Sequence, residues 1–141
     1  MFIFVVLPYV NTSYHMLWQF TLISPNPHII MRKITRDAVD AFLKVYSGEK
    51  PKGNRIFFKR GNTIVKIGRR LPCQYHHTAE LYLHGHLIAK ADHNGLQITN
   101  AGYFTNTTKE RLNGLPHVHI QQKNFDWYLN GELWDGGWIN V

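Results

Sequence analysis

Charge is missing from the start of this chain: no Asp, Glu, Lys or Arg occurs before Arg32. Cysteine is almost absent as well. The single Cys73 cannot close an intrachain disulfide, which argues against a disulfide-stapled secreted scaffold and for a reducing, cytosolic setting. Long apolar runs are also lacking. The longest, from Met1 to Val10, contains Pro8 and ends at Asn11-Thr12-Ser13, well short of the roughly 20 residues a spanning helix needs. It has neither the basic n-region nor the small-residue cleavage site of a secretory signal. No glycine-rich phosphate loop, paired-carboxylate pattern, internal repeat or low-complexity tract is present, so the common nucleotide-hydrolase and glycosidase signatures are excluded.

What remains is a chain of 141 residues and 16.5 kDa, 44% hydrophobic and 18% charged, which suits one globular domain with one core. The net charge of +7 is concentrated. Between Arg32 and Arg70 stand 12 basic residues against Asp37, Asp40 and Glu49, whereas from Leu71 onward 4 basic residues face 6 acids. Such an excess favours a polyanionic partner. Because Met31 is followed at once by Arg32-Lys33-Ile34-Thr35, the expected domain is 31–141. Residues 1–30 are expected to be an uncharged apolar extension outside it, of the kind an upstream start codon adds.

Periodicity then orders the domain. Val39, Phe42, Leu43 and Tyr46 fall at helical spacing after Thr35 as N-cap, and Gly48 suits a C′ position, which predicts a helix over about 36–47. Arg55 to Arg60 and Thr63 to Ile67 flank Gly61-Asn62 and predict a hairpin. In that hairpin Phe58 should face Val65 and Ile56 should face Ile67, leaving Arg55, Phe57, Lys59 and Lys66 on the other side. A three-stranded meander follows from Glu80 to Thr99, turning at Gly85 and at Asn94-Gly95. Thr107 and Glu110 have capping-box spacing ahead of a short helix over about 108–114, stopped by Pro116. The tail alternates again, with Asn130-Gly131 its strongest turn signal. Two helices and seven or eight short strands define an α+β fold whose antiparallel sheet is built of short hairpins.

The segment from Ile98 to Leu115, with Asn100-Ala101-Gly102-Tyr103-Phe104 and Thr107-Thr108-Lys109-Glu110, resembles a motif of a family of small tailed-bacteriophage proteins. Trp127-Tyr128-Leu129-Asn130-Gly131 and Trp134-Asp135-Gly136 are similar to its aromatic C-terminal hairpin, and the resemblance covers about residues 77–141. It implies a phage or prophage origin and brings no catalytic residues with it; together with the cytosolic setting read from Cys73, the expected location is the host cytoplasm.

Nine histidines invite a metal reading, above all His84-Gly85-His86 and His117-Val118-His119. Residues two apart on a strand share a face, but a turn at Gly85 would splay the first pair. Cys73 and His76 supply half of a zinc site, and as nucleophile and base they lack a third group and an oxyanion hole. His76-His77-Thr78 is one His-x-Thr where a two-histidine phosphoesterase needs two. No metal or cofactor is therefore expected, and a metal-dependent hydrolase using these histidines is a distant third reading. Trp127, Trp134 and Trp138 could stack on bases, although at least two of them are expected in the core. The strongest functional signal is the basic hairpin over 55–67. Arg55, Phe57, Lys59, Arg60, Lys66, Arg69 and Arg70 are its candidate nucleic-acid-binding residues, with the cations for phosphates and Phe57 for stacking. The first reading is a non-enzymatic phage accessory protein that binds nucleic acid there; the alternative is a modulator that binds an acidic host protein.

Removing residues 1–30 should leave a chain that unfolds cooperatively at about the temperature of the full one. Thermal denaturation followed by circular dichroism checks this, and a large fall would mean that the opening segment supplies part of the core.

Overall fold

A computed structural model describes residues 31–49, 55–68 and 78–141; the opening segment 1–30, expected to stand apart from the domain, lies outside these. Helix α1 (Lys33–Tyr46) leads into the hairpin β1 (Ile56–Arg60) and β2 (Thr63–Ile67). The meander β3 (Ala79–Leu83), β4 (His86–Asp92) and β5 (Gly95–Ile98) follows, then helix α2 (Asn106–Asn113). The tail forms β6 (Ile120–Lys123), β7 (Asp126–Leu129), β8 (Glu132–Trp134) and β9 (Ile139–Asn140). All pairings are antiparallel. Six strands form one sheet in the order β1-β2-β3-β4-β5-β9, and β6-β7-β8 form a second. The expected α+β architecture of two helices on short hairpins is the one observed.

Turn chemistry accounts for most of the connections. Gly61 takes φ +55° in the first central place of the β1–β2 turn, and Asn130-Gly131 takes +49° and +88° between β7 and β8, as the primed hairpin turns require. Gly48, at φ +100°, closes α1: its N–H and that of Glu49 donate to the carbonyls of Val45 and Lys44, the paired bonds of a Schellman motif.

Both helix starts differ from the expected caps. Helix α1 begins three residues earlier, after Arg32, because Thr35 is fully buried and its hydroxyl serves a tertiary contact. Helix α2 is capped by Thr105, whose Oγ1 accepts from Thr108 N at 3.1 Å, and Glu110 turns away from the cap to meet Arg32 at 3.1 Å.

The hairpin also departs from its expected register. Phe58 does face Val65, but a bulge makes Phe57 the extra residue and sets Ile56 opposite Lys66 instead of Ile67. Phe57 is thereby turned to pack against the core, while Ile56 is left on the wetter side.

One core unites both sheets and both helices. Phe42 and Val45 of α1 join Val65, Leu81, Ala89 and Ile98 of the larger sheet, and the cluster continues through Leu112 to Trp127 and Trp134 of the smaller one. Strand β9 carries the chain back from the smaller sheet to pair with β5, Ile139 with Ile98.

Gly114, just after α2, shows how closely the helices approach. A Cβ there would stand 2.8 Å from Val39 Cγ2 and 3.0 Å from Thr35 Cγ2, both on buried residues of α1. Gly114→Ala should therefore destabilise the fold by about 1–3 kcal/mol, the usual cost of overpacking a filled core. Urea denaturation reads the change as a lower midpoint at unchanged slope.

Candidate nucleic-acid interface

The larger sheet has two chemically opposite faces, and strand alternation generates both. Phe58, Val65, Leu81, Ala89 and Ile98 are successive cross-strand partners on the face that enters the core. One residue along, a continuous row crosses all six strands: Ile56, Lys66, Glu80, Lys90, Gln97 and Asn140. A second row on that face runs Lys59, Ile64, Tyr82 and Leu87. None of these ten residues is buried.

Cations and rings are paired on this face. Lys66 Nζ lies 4.2 Å from the centroid of the Tyr82 ring, and Lys90 Nζ lies 4.9 Å from that of Trp138, which is 49% exposed. Both distances are within the range of cation–π attraction. Each ammonium group thus lies over one face of its ring. Glu80, between Lys66 and Lys90 in the row, accepts a hydrogen bond from the Tyr82 hydroxyl at 2.9 Å. Burial pushes the Tyr82 phenol up to about 12 from its ordinary 10, helped by that bond and by the Glu80 charge, while Arg55 pulls the other way.

The candidate residues read from sequence separate in space. Lys59 and Lys66 stand on this face. The Arg55 guanidinium donates through Nε and one terminal nitrogen to the Ile67 carbonyl, at 3.2 and 3.0 Å, which pins it beside the hairpin end. Arg60 reaches back to Asp37 of α1 at 3.4 Å. Phe57 packs against the core rather than standing among the cations. Arg69 and Arg70 lie outside the described residues, as do Cys73, His76 and His77.

The sequence reading named Trp138 among the possible stacking rings but missed Tyr82 and Lys90. Their alternation with apolar partners was visible in the meander, but the pairing of β2 with β3 that brings them to Lys66 is a tertiary fact. Trp127 and Trp134 are buried in the core, so among the tail tryptophans only Trp138 reaches the surface. His84 and Gly85, at φ +50° and +81°, form the β3–β4 turn. No three of His, Cys, Asp and Glu converge as metal ligands among the described residues, and no described helix is long and apolar enough to cross a membrane.

Comparison with known proteins places one family on this chain: the model described as Kyanoviridae Gp96 protein matches residues 31–140, reaching well upstream of the segment whose motifs carry the phage resemblance. No curated protein and no solved structure matches.

The Tyr82 phenol supplies a prediction with a definite sign. Its raised value means that the folded chain retains a proton which the unfolded chain gives up, so its contribution to stability is complete below pH 10 and is lost as pH rises towards 12. A tyrosinate absorbance titration of the protein minus that of Tyr82→Phe should show one phenol ionising near pH 12. A difference curve centred near 10 would contradict it.

Proposed function

The chain belongs to the Kyanoviridae Gp96 family of small phage proteins, and for it we propose a non-enzymatic role in binding single-stranded nucleic acid across the wet face of the six-stranded sheet. The observation that carries this reading is the pair of stacked cations, Lys66 on Tyr82 and Lys90 on Trp138, set on one sheet face with Lys59 beside them. A sheet surface that offers flat rings for bases and ammonium groups for phosphates is a recurrent way to hold an unpaired strand. On binding, the lysines would leave the rings for phosphates and the bases would take their places, so each ring is kept partnered in both states. Arg55 supplies further positive charge at the β1 edge, close enough to act on Tyr82. Lys59 and Lys66 come from the hairpin that the sequence singled out; Lys90, Tyr82 and Trp138 extend the surface across β3, β4 and the approach to β9.

A second reading, a modulator that docks on a host protein, is favoured by a separate feature. Phe125 is 93% exposed at φ +70° in the β6–β7 turn, a costly conformation for an aromatic residue. Leu133 of β8 is 68% exposed.

Titration of the full chain with single-stranded and duplex oligonucleotides at several salt concentrations tests the first reading. Binding should favour the single strand and weaken as salt rises, with a log–log slope of about 0.7 per phosphate contacted. Changing Lys59, Lys66 and Lys90 together to Gln should flatten that slope and shift stability by no more than about 1 kcal/mol. No binding at low salt, or an unchanged slope in the triple variant, would remove the sheet face as the site.

A further inference from the structure

The three-stranded sheet also has a buried and an open face, and its open face has a chemistry of its own. Trp127, Leu129 and Trp134 alternate into the core. The residues between them turn away from it: Gln121, Tyr128 and Leu133 form a row across β6, β7 and β8, and Lys123 stands opposite Asp126 next to the β6–β7 turn. None of these five is buried, and only Tyr128 is partly covered. With one cation and one anion this face is neutral, unlike the lysine-bearing face of the larger sheet.

Phe125 crowns the open face in a conformation that local chemistry disfavours. Asn124 and Phe125 take φ +53° and +70°, the two left-handed places of a primed hairpin turn. The next turn fills the same places with Asn130 and Gly131, the unstrained choice. A phenyl ring therefore occupies a glycine position and, almost fully exposed, gains little packing from its own chain. Strain held at an exposed aromatic residue points to a contact outside the chain.

The edges direct such a contact to the face. The Asn113 carboxamide donates to the Ile120 carbonyl at 3.1 Å and accepts from Ile120 N at 2.6 Å, so it fills the place of a neighbouring strand on β6. Strand β8, at the other edge, is three residues long. Neither edge invites a further strand.

Charge then selects the partner. Lys123 and Asp126 are directly opposite, yet neither takes part in an ion pair among the described residues. A polyanion or a strongly acidic protein gains little from a neutral face. A second copy complements it at every position. A twofold axis along the hairpin, between β6 and β7, lays β6 of each copy over β7 of the other. The register then sets Lys123 on Asp126 twice and Gln121 on Tyr128 twice, and brings the two Phe125 rings together at the shared tip.

We infer that the chain forms a closed, isologous dimer through the open face of the three-stranded sheet, with Phe125 and Tyr128 as its apolar part and the two reciprocal contacts of Lys123 with Asp126 fixing its register. Leu133 flanks Tyr128 in the same row. The face is small, so the dimer is a weak one that forms at micromolar to millimolar concentration. It is separate from the proposed nucleic-acid surface, which lies on the larger sheet, and it gives the exposed tip to a second copy instead of a host protein.

Sedimentation equilibrium of the full chain over that concentration range tests it. Monomer and dimer should be the only species. Lys123→Asp and Asp126→Lys each set like charges at both contacts and should weaken association by about tenfold or more. Mixed in equal amounts, the two variants present opposite charges at both contacts, and the dimer should return. Phe125→Gly should weaken association while leaving the dilute, monomeric chain at least as resistant to heat, because glycine relieves the turn. A chain that stays monomeric at millimolar concentration would overturn the inference, as would assembly beyond two. A mixture that associates no better than either charge variant alone would overturn it too, and so would a Phe125→Gly chain that associates like the unchanged one. Should a charge variant fail to fold by circular dichroism, the unchanged chain and Phe125→Gly decide the question.

Discussion

The Arg111 guanidinium is the point on which the packing of the domain turns. It belongs to α2, is 5% exposed, and donates through Nε to Thr63 Oγ1 of β2 and through a terminal nitrogen to Thr35 Oγ1 of α1. The Thr35 hydroxyl passes its own hydrogen to Glu110, which also stands 3.4 Å from Arg111 and 3.1 Å from Arg32. Burial pushes the guanidinium below its ordinary value, Glu110 pushes it back, and Arg32 adds to the lowering. A buried cation is tolerated only when it is paired and its donors are met, so α1, β2 and α2 must all be in place together. The same region closes α2, at the glycine that lets the helices touch.

With α1 and α2 joined to the core on one side, the sheet is left with a half-wet second face. A register shift in the β3–β4 pair makes Ile88 an extra residue, but it lies to one side of the row that runs from Ile56 to Asn140, which crosses all six strands unbroken. The ends of the sheet are protected differently. At one edge β1 combines a bulge with Lys59 and Arg60, and at the other β9 is two residues long; both devices hinder pairing with a further strand. Both edges thus discourage the addition of a further strand.

Local chemistry was legible in the sequence because its causes lie within a few residues. The apolar stripe of α1, the Gly48 stop, the Gly61-Asn62 and Asn130-Gly131 turns and the β3–β5 meander each follow from spacing or from the φ a turn requires. Lys59 and Lys66 were legible for the same reason, as alternate residues of one hairpin. Tertiary structure decided what depends on distant partners. Thr35 reads as a cap, yet Arg111 and Glu110, some 75 residues away, claim its hydroxyl. Phe57 reads as a surface ring, yet a bulge gives it to the core. Tyr82, Lys90 and Trp138 acquire meaning only once β2 lies beside β3 and the tail returns beside β5, because a strand's own sequence specifies its two faces but not the neighbour against which they are set.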